Sequence, residues 1–244
     1  MATYNHTKWQ RVFGSPSDSV VLNPAAGPAF NLVSRPGATV SLIENQVFTA
    51  AMELARAALD RAILLLDARI PGAAAPPLPA NFENLADYCF WPGNIEPLRT
   101  NRLATVRANV QRIRVGLTSA GLQIVDSNPN RGGAASGYVR TTVGEALRPG
   151  TDPATEKPFV GRIHVRFATV NTGNTPVNQQ MAAFTIVHEA SHRFCGTRDW
   201  GYNGGGSAGY FALLALGPAA IPHLATDQAL NNADSYAEFV MRMP

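Results

Sequence analysis

His188, Glu189 and His192 have the residue types and the spacing of a metal site that activates water. On a helix, side chains four positions apart lie on the same face, so the two imidazoles can close on one metal ion. Glu189 projects from the adjacent edge of that face, where its carboxylate can hold and deprotonate a water bound to the metal. The stretch therefore predicts a helix that carries a hydrolytic metal centre.

A catalytic metal centre of this kind needs a third protein ligand and one open position. Gly196 is well placed to end the helix in the left-handed conformation, after which the chain can return Asp199 to the metal. Cys195 is the alternative ligand, but on an unbroken helix it lies roughly 7–8 Å along the axis from the middle of the histidine pair. His164 is a further alternative, although a lone histidine on a strand is usually structural. We predict Asp199 as the ligand and Tyr202 as a hydrogen-bond donor to a developing oxyanion.

These residues resemble the signature of the aspzincins, the family of deuterolysin and peptidyl-Lys metalloendopeptidase. His-Glu-x-x-His at residues 188–192 is followed by Gly-Thr-x-Asp-x-x-Tyr at 196–202, and Asn-Ala-Asp-x-Tyr follows at 232–236. The chain departs from the family at Asn203, where members usually have glycine. A bare His-Glu-x-x-His occurs in many helices where the histidines only pack, so the two further fragments in the right order carry the resemblance. The likeness runs from about residue 40 to the end of the chain.

The resemblance implies a zinc endopeptidase that binds one Zn2+ per chain and takes a protein or peptide as substrate. Its metal ligands would be His188, His192 and Asp199, with Glu189 as general base and Tyr202 at the oxyanion. The alternative for Tyr202 is a packed ring whose hydroxyl only meets the backbone. The predicted reaction is hydrolysis of a peptide bond by metal-activated water.

A substrate preference is implied by the same resemblance. In lysine-cleaving members, the Asp of Asn-Ala-Asp lines an acidic pocket for the side chain just after the cut, and Asp234 matches that position. Those members carry a second acid three residues later, where this chain has Ala237, and Glu238 comes one place further on. We therefore expect a modest preference for Lys or Arg after the cut; the alternative is that Asp234 caps its own helix.

Two other functional classes stay open at this stage. One is a catalytically silent binding module in which the metal only stabilises the fold; Glu189 speaks against it, because a structural site needs no base. The other is a toxin-like effector peptidase that acts on one specific protein and is paired with an inhibitor protein. A gene for such an inhibitor next to this one would separate the two peptidase classes.

The composition fits a globular chain and argues against nucleic acid as a partner. Hydrophobic residues make up 45% of the 244 residues, charged residues 15%, and the formal net charge is +3. Because there is no dense run of Lys or Arg, nucleic acid is not expected as a partner. Two cysteines, Cys89 and Cys195, leave open one disulfide bridge or two buried thiols.

The N-terminal part of the sequence bears on location and domain organisation. Residues 1–14 contain no apolar run, so no cleavable signal peptide is predicted, and no stretch is long enough to span a membrane. We expect export without a cleaved signal, an intracellular location, or trimming from a longer precursor. Residues 1–38 are predicted to form an irregular arm, and residues 39–244 a single aspzincin-like metallopeptidase domain.

The hydrophobic pattern predicts an α+β, zincin-like fold that is mainly helical, with a small sheet next to the metal-bearing helix. Helices are predicted at about 39–69, 81–90, 95–119, 178–194, 210–216 and 225–241, and strands near 20–22, 30–33, 122–126, 138–140 and 161–170. In zincins the strand before the active-site helix lies along the cleft and pairs with the substrate backbone, a role that we predict for 161–170.

Overall fold

The fold of the computed structural model is α+β and mainly helical, as predicted. The structure describes residues 30–34, 37–70, 77–119, 122–126, 137–141, 159–169, 172–199 and 226–243. Within this part of the chain, the longer helices are α1 (Leu42–Arg69), α2 (Phe82–Phe90), α3 (Leu98–Gly116), α4 (Pro176–Cys195) and α5 (Ala233–Arg242). None of the described helices is both long and apolar enough to cross a membrane. The predictions at 20–22 and 210–216 lie outside the described residues.

The sheet has four described strands: β1 (Phe30–Val33), β2 (Leu122–Asp126), β3 (Gly137–Thr141) and β4 (Phe159–Val165). Their order across the sheet is β1-β2-β4-β3, in which β1, β2 and β4 run parallel and β3 is antiparallel to β4. The sheet therefore begins at β1, within the segment that was assigned to the N-terminal arm.

The strand before α4 matches only the first half of the predicted range 161–170. β4 ends at Val165, and a 3-10 turn follows at Phe167–Thr169. Ile163 and Val165 pair with β2 on one side and with β3 on the other. Because both edges of β4 are paired at Ile163–Val165, this part of β4 cannot add a substrate strand; β1 and β3 are the two strands with an edge facing away from the other described strands.

Local sequence signals fix both ends of α4. The Thr175 side chain accepts a hydrogen bond from the Asn178 backbone N–H at 3.2 Å, and Pro176 occupies the first turn, where a missing N–H does no harm. At the other end Gly196 has φ +69° and ψ +24°, the left-handed conformation that glycine adopts most readily. The predicted end of this helix is confirmed.

The core surrounds α4. This helix packs against α1, α3 and α5 and against β3 and β4. Its small and aliphatic side chains allow close approach on several sides, and its residues from 186 to 192 are all buried. The face of α1 that covers it is apolar and consists of Val47, Phe48, Ala51, Met52, Ala55, Ala58, Leu59, Ala62, Leu65 and Leu66. Burial on this scale places the His-Glu-x-x-His stretch inside the molecule.

The prediction of one continuous helix over 225–241 is wrong. A single turn at Thr226–Ala229 is separated from α5 by residues 230–232. Asn232 has extended backbone angles, φ −103° and ψ 128°, and forms an isolated parallel bridge with Arg198. The contact with the segment after α4 therefore interrupts the helix and fixes where α5 begins.

Candidate metal centre

Three potential ligand atoms converge where α4 meets the segment that follows it. The Nε2 atoms of His188 and His192 are 3.2 Å apart, and Oδ1 of Asp199 lies 3.2 Å from each of them. A tetrahedral zinc ion with bonds of about 2.0–2.1 Å separates its ligand atoms by about 3.3–3.4 Å. The three atoms are thus spaced as three corners of such a tetrahedron, and these residues fit a metal ion.

The outer nitrogen of each histidine is hydrogen-bonded away from this point. His188 Nδ1 lies 2.7 Å from Oδ1 of Asp234, and His192 Nδ1 lies 2.8 Å from the backbone oxygen of Thr197. A carbonyl or carboxylate oxygen only accepts, so each Nδ1 carries the proton and each neutral ring turns the lone pair of Nε2 toward the other. Two lone pairs and a carboxylate oxygen at this distance repel one another unless a cation lies between them.

In the absence of a metal, a proton supplies that cation. Burial disfavours the charged form of His188, but hydrogen bonds with Asp199 and Asp234 outweigh burial and raise its pKa well above the ordinary range. For Asp199, burial opposes ionisation, yet the hydrogen bonds from the two histidines hold its pKa far below the usual value. A metal that binds here must displace the proton.

Glu189 lies beside this cluster with the properties of a base. Its side chain is 3% exposed, and Oε1 is 4.0 Å from His188 Nε2, farther than Asp199 Oδ1. Burial raises the pKa of Glu189, while the neighbouring histidines lower it, and the net shift is upward. Its Oε2 has no hydrogen-bond partner among the described residues. The distances favour Asp199 over Glu189 as a third ligand and leave Glu189 placed to accept a proton.

Gly137, the first residue of β3, packs directly on Glu189. A Cβ atom at Gly137 would lie 2.7 Å from Oε1 and 2.8 Å from Cγ of Glu189, and 2.9 Å from the backbone oxygen of His164. Contacts under 3 Å are not tolerated, so only glycine fits without displacing the carboxylate. Gly137 was not predicted as part of the site, because its only sequence signal is a glycine at a strand end.

Comparisons with known proteins do not place the chain in a family: no protein-family model matches it, and no curated protein matches it. The likeness to the aspzincins therefore rests on the sequence fragments. The structure supports the coarser part of that likeness. His188, Glu189 and His192 form a buried group on a helix, with ligand atoms all within 4.8 Å of one another, which could hold a metal ion.

The alternative ligands lie elsewhere. Cys195 is buried, and its thiol donates to the backbone oxygen of Asn109 on α3 at 3.4 Å. Burial raises the pKa of this thiol to about 12, so it is neutral at physiological pH. Cys89 is also buried, and no disulfide joins the two cysteines, which answers the question of a bridge between them. His164 is not part of the described group that could hold a metal.

The remaining predicted residues are Tyr202 and Asp234. Tyr202 lies outside the described residues. Asp234, predicted to contact a basic substrate side chain, is 7% exposed and contacts His188. Thr197 was not predicted as part of the site, yet its carbonyl orients His192, and its hydroxyl lies 2.7 Å from Ser191 Oγ. The Thr in the Gly-Thr-x-Asp fragment was the signal that could have identified it.

Proposed function

We propose that this protein is a zinc-dependent endopeptidase. The observation that carries the proposal is the convergence of Nε2 of His188, Nε2 of His192 and Oδ1 of Asp199 at 3.2 Å, with both outer nitrogens held by acceptors. Such a set leaves the fourth position of a tetrahedron open, as catalytic zinc sites do. The resemblance of the sequence fragments to the aspzincins points to the same activity.

In this proposal His188, His192 and Asp199 hold the metal. When bound, Zn2+ would lower the pKa of a water molecule and polarise the scissile carbonyl. Glu189 accepts the proton of the attacking water and returns it to the leaving amine, a role that suits a buried carboxyl with a raised pKa. Tyr202 would donate a hydrogen bond to the oxyanion. Because Glu189 lies next to the ligands, this arrangement favours catalysis over a purely structural metal site.

The outer edge of β3, which no other described strand pairs with, is the expected place for the substrate backbone. β3 lies at the edge of the described sheet, and its first residue, Gly137, touches the side chain of Glu189. An extended peptide that pairs with β3 would pass directly over the proposed base. The substrate-pairing role that the sequence analysis assigned to residues 161–170 thus passes to β3 in this proposal.

The preference for Lys or Arg after the cut stays a prediction. Asp234 is already bonded to His188, and Glu238, 4% exposed, forms a salt bridge with Arg242 at 2.5 Å. Neither acid is therefore a spare carboxylate for an incoming ammonium group. We expect any bias toward basic residues to be small.

Metal analysis combined with cleavage of a denatured protein tests the proposed function. Purified protein should carry about one zinc per chain, and a chelator should abolish cleavage that added zinc restores. His192→Ala should lose both zinc and activity, whereas the matched control His164→Ala, which changes a buried histidine outside the cluster, should keep both. A His192→Ala protein that still carries stoichiometric zinc, or zinc-loaded wild type that cleaves no peptide bond, would overturn the proposal.

A further inference from the structure

The N-terminal turn of α5 contacts the metal centre through a side chain. Oδ1 of Asp234 lies 2.7 Å from Nδ1 of His188, and both groups are buried. This contact selects the tautomer in which Nε2 of His188 faces His192 and Asp199. Asp234 is separated from His188 by 46 positions in the sequence, so the orientation of this ligand depends on a distant segment of the chain.

The same turn is tied by its backbone to the segment that carries Asp199. The Arg198 N–H donates to the Asn231 oxygen at 2.8 Å, and the Ala233 N–H donates to the Arg198 oxygen at 3.0 Å. Arg198 is the residue directly before Asp199. Two hydrogen bonds therefore fix the backbone next to the third ligand, although Asp199 itself is 40% exposed.

We propose that residues 231–234 are a positioning element that assembles the metal centre, so that metal binding and docking of this turn are coupled. Asp234 orients His188, and the bridge to Arg198 places Asp199; a metal that binds both ligands stabilises both attachments. By linkage, the attachments raise metal affinity to the same extent. This inference rests on the proposed metal centre, but it concerns residues that would not touch the metal.

The part of α5 from Tyr236 onward has anchors of its own. The Tyr236 hydroxyl donates to the Leu230 oxygen at 2.8 Å and lies 2.6 Å from Nδ2 of Asn109, and the rings of Phe90 and Phe239 pack 5.2 Å apart. Because these contacts do not involve the metal ligands, removal of the metal should loosen residues 231–234 more than the part of α5 from Tyr236 onward.

Hydrogen exchange of single amides measures the coupling without any assay of activity. In the zinc-loaded full-length protein, the amides of Arg198 and Ala233 should exchange slowly, and chelation should speed their exchange more than that of amides within α1. Asp234→Asn and Asp234→Ala should shift the tautomer signals of His188 in nitrogen-15 NMR. The expected weakening of zinc affinity in Asp234→Ala is about 10–100-fold, the range for residues that orient metal ligands.

Two further variants keep the test decisive. Glu238→Gln removes another buried acid from the same helix and should leave zinc affinity and the His188 signals unchanged. Ala233→Pro removes the bridging N–H at the first helical position; the extended Asn232 before it is compatible with proline, although the ring adds volume at a buried position. This variant should weaken zinc binding while the His188 tautomer is kept.

The outcomes separate this inference from the proposed function. Wild type that binds no zinc would refute the metal centre itself. Zinc binding and cleavage with unchanged Arg198 and Ala233 exchange on chelation, or full zinc affinity in Asp234→Ala, would overturn the positioning role alone. Equal losses in Asp234→Ala and Glu238→Gln would likewise overturn it, because they would trace the effect to the helix and not to the contact with His188.

Discussion

Two clusters of charged side chains in this protein differ in the source of their positive charge. The arginine cluster consists of Arg69, Glu83, Asp87, Glu96 and Arg99, and joins α1, α2 and α3. The metal-ligand cluster consists of His188, Glu189, His192, Asp199 and Asp234, and joins α4 and α5. Each contains three carboxylates, yet only the first brings permanent positive charges of its own.

Arg99 shows how the arginine cluster is satisfied. Arg99 is 7% exposed, and its guanidinium lies 2.5 Å from Asp87, bonds Glu83 through two nitrogens and donates to the Gly93 oxygen at 2.9 Å. Hydrogen bonds and charges from Asp87 and Glu83 outweigh burial and raise its pKa. Such a cluster is complete within the chain and has no evident need for a ligand.

The metal-ligand cluster is not complete in this sense. In the described part of the chain, none of its three carboxylates pairs with an arginine or a lysine, and Glu189 Oε2 has no hydrogen-bond partner. The positive charge must come from a proton on histidine or from a metal ion. The difference teaches that the candidate metal centre stands out by its missing positive charge and not by its number of charged groups.

Removal of a proposed ligand should break the metal-ligand cluster most completely. Asp199→Ala takes away one of three ligand atoms and should reduce zinc affinity by more than the about 10–100-fold expected for an orienting residue. Cys195→Ala should leave affinity unchanged, because the neutral thiol faces Asn109. A competition titration with a chelating dye measures both. The opposite pattern would make Cys195 the third ligand.

Glu189→Gln should show whether Glu189 acts as a general base or as a metal ligand. The change should lower turnover by at least about a hundredfold, as loss of a general base does, while zinc stays bound. Turnover and zinc content of one preparation provide the check. An active Glu189→Gln protein would exclude the proposed mechanism, whereas loss of zinc would show that Glu189 is itself a ligand.

In the metal-free protein, the same variant should change how stability depends on pH. Because burial raises the pKa of Glu189 above its ordinary 4.5, its ionisation in the folded state lowers the free energy of unfolding at higher pH. Glu189→Gln should therefore raise the melting temperature at neutral pH, and the difference should shrink as the pH falls toward 4.5. Thermal melts across this range test the sign.

The sequence predicted the parts of the site that are local in the chain. The spacing of His188 and His192 and the left-handed Gly196 follow from helix geometry, and both are present in the structure. Asp199 lies only three residues beyond Gly196, so a chain reversal was enough to bring it back. Such features depend on a few neighbouring residues, so they can be predicted from one sequence.

The contacts that the sequence could not predict join distant segments. Gly137 meets Glu189 because β3 pairs with β4, and Asp234 meets His188 because residues 230–232 break the last helix. The edge position of β3 likewise depends on strand order, which hydrophobic alternation does not encode. The packing of β3, α4 and α5 against one another determines these contacts, and local sequence patterns do not predict this packing.

A charge removed from the arginine cluster should affect stability and not chemistry. Arg99→Gln leaves Asp87 without its cation and Glu83 with Arg69 alone, and should lower the free energy of unfolding by about 1–3 kcal/mol. Arg114→Gln, which breaks a more exposed pair with Asp60 at 2.7 Å, should cost less than about 1 kcal/mol. Denaturant unfolding measures both. Loss of zinc affinity in Arg99→Gln would show that the two clusters are coupled after all.

The smallest expected effect is the bias toward basic residues after the cut. The family resemblance assigns a lysine-binding role to Asp234, but its Oδ1 is bonded to His188 and its side chain is only 10% exposed. Ala237 replaces the second acid, and Glu238 is paired with Arg242. A carboxylate that must break an existing bond to meet an ammonium group gives little discrimination, because the free site is not left unpaired.

Mapped cleavage sites in a denatured protein should show only a slight excess of Lys or Arg after the cut. A strong excess that disappears in Glu238→Gln would instead assign the pocket to Glu238. A strong excess that persists in Glu238→Gln but disappears in Asp234→Asn, with both variants measured at saturating zinc, would restore Asp234 as a substrate contact.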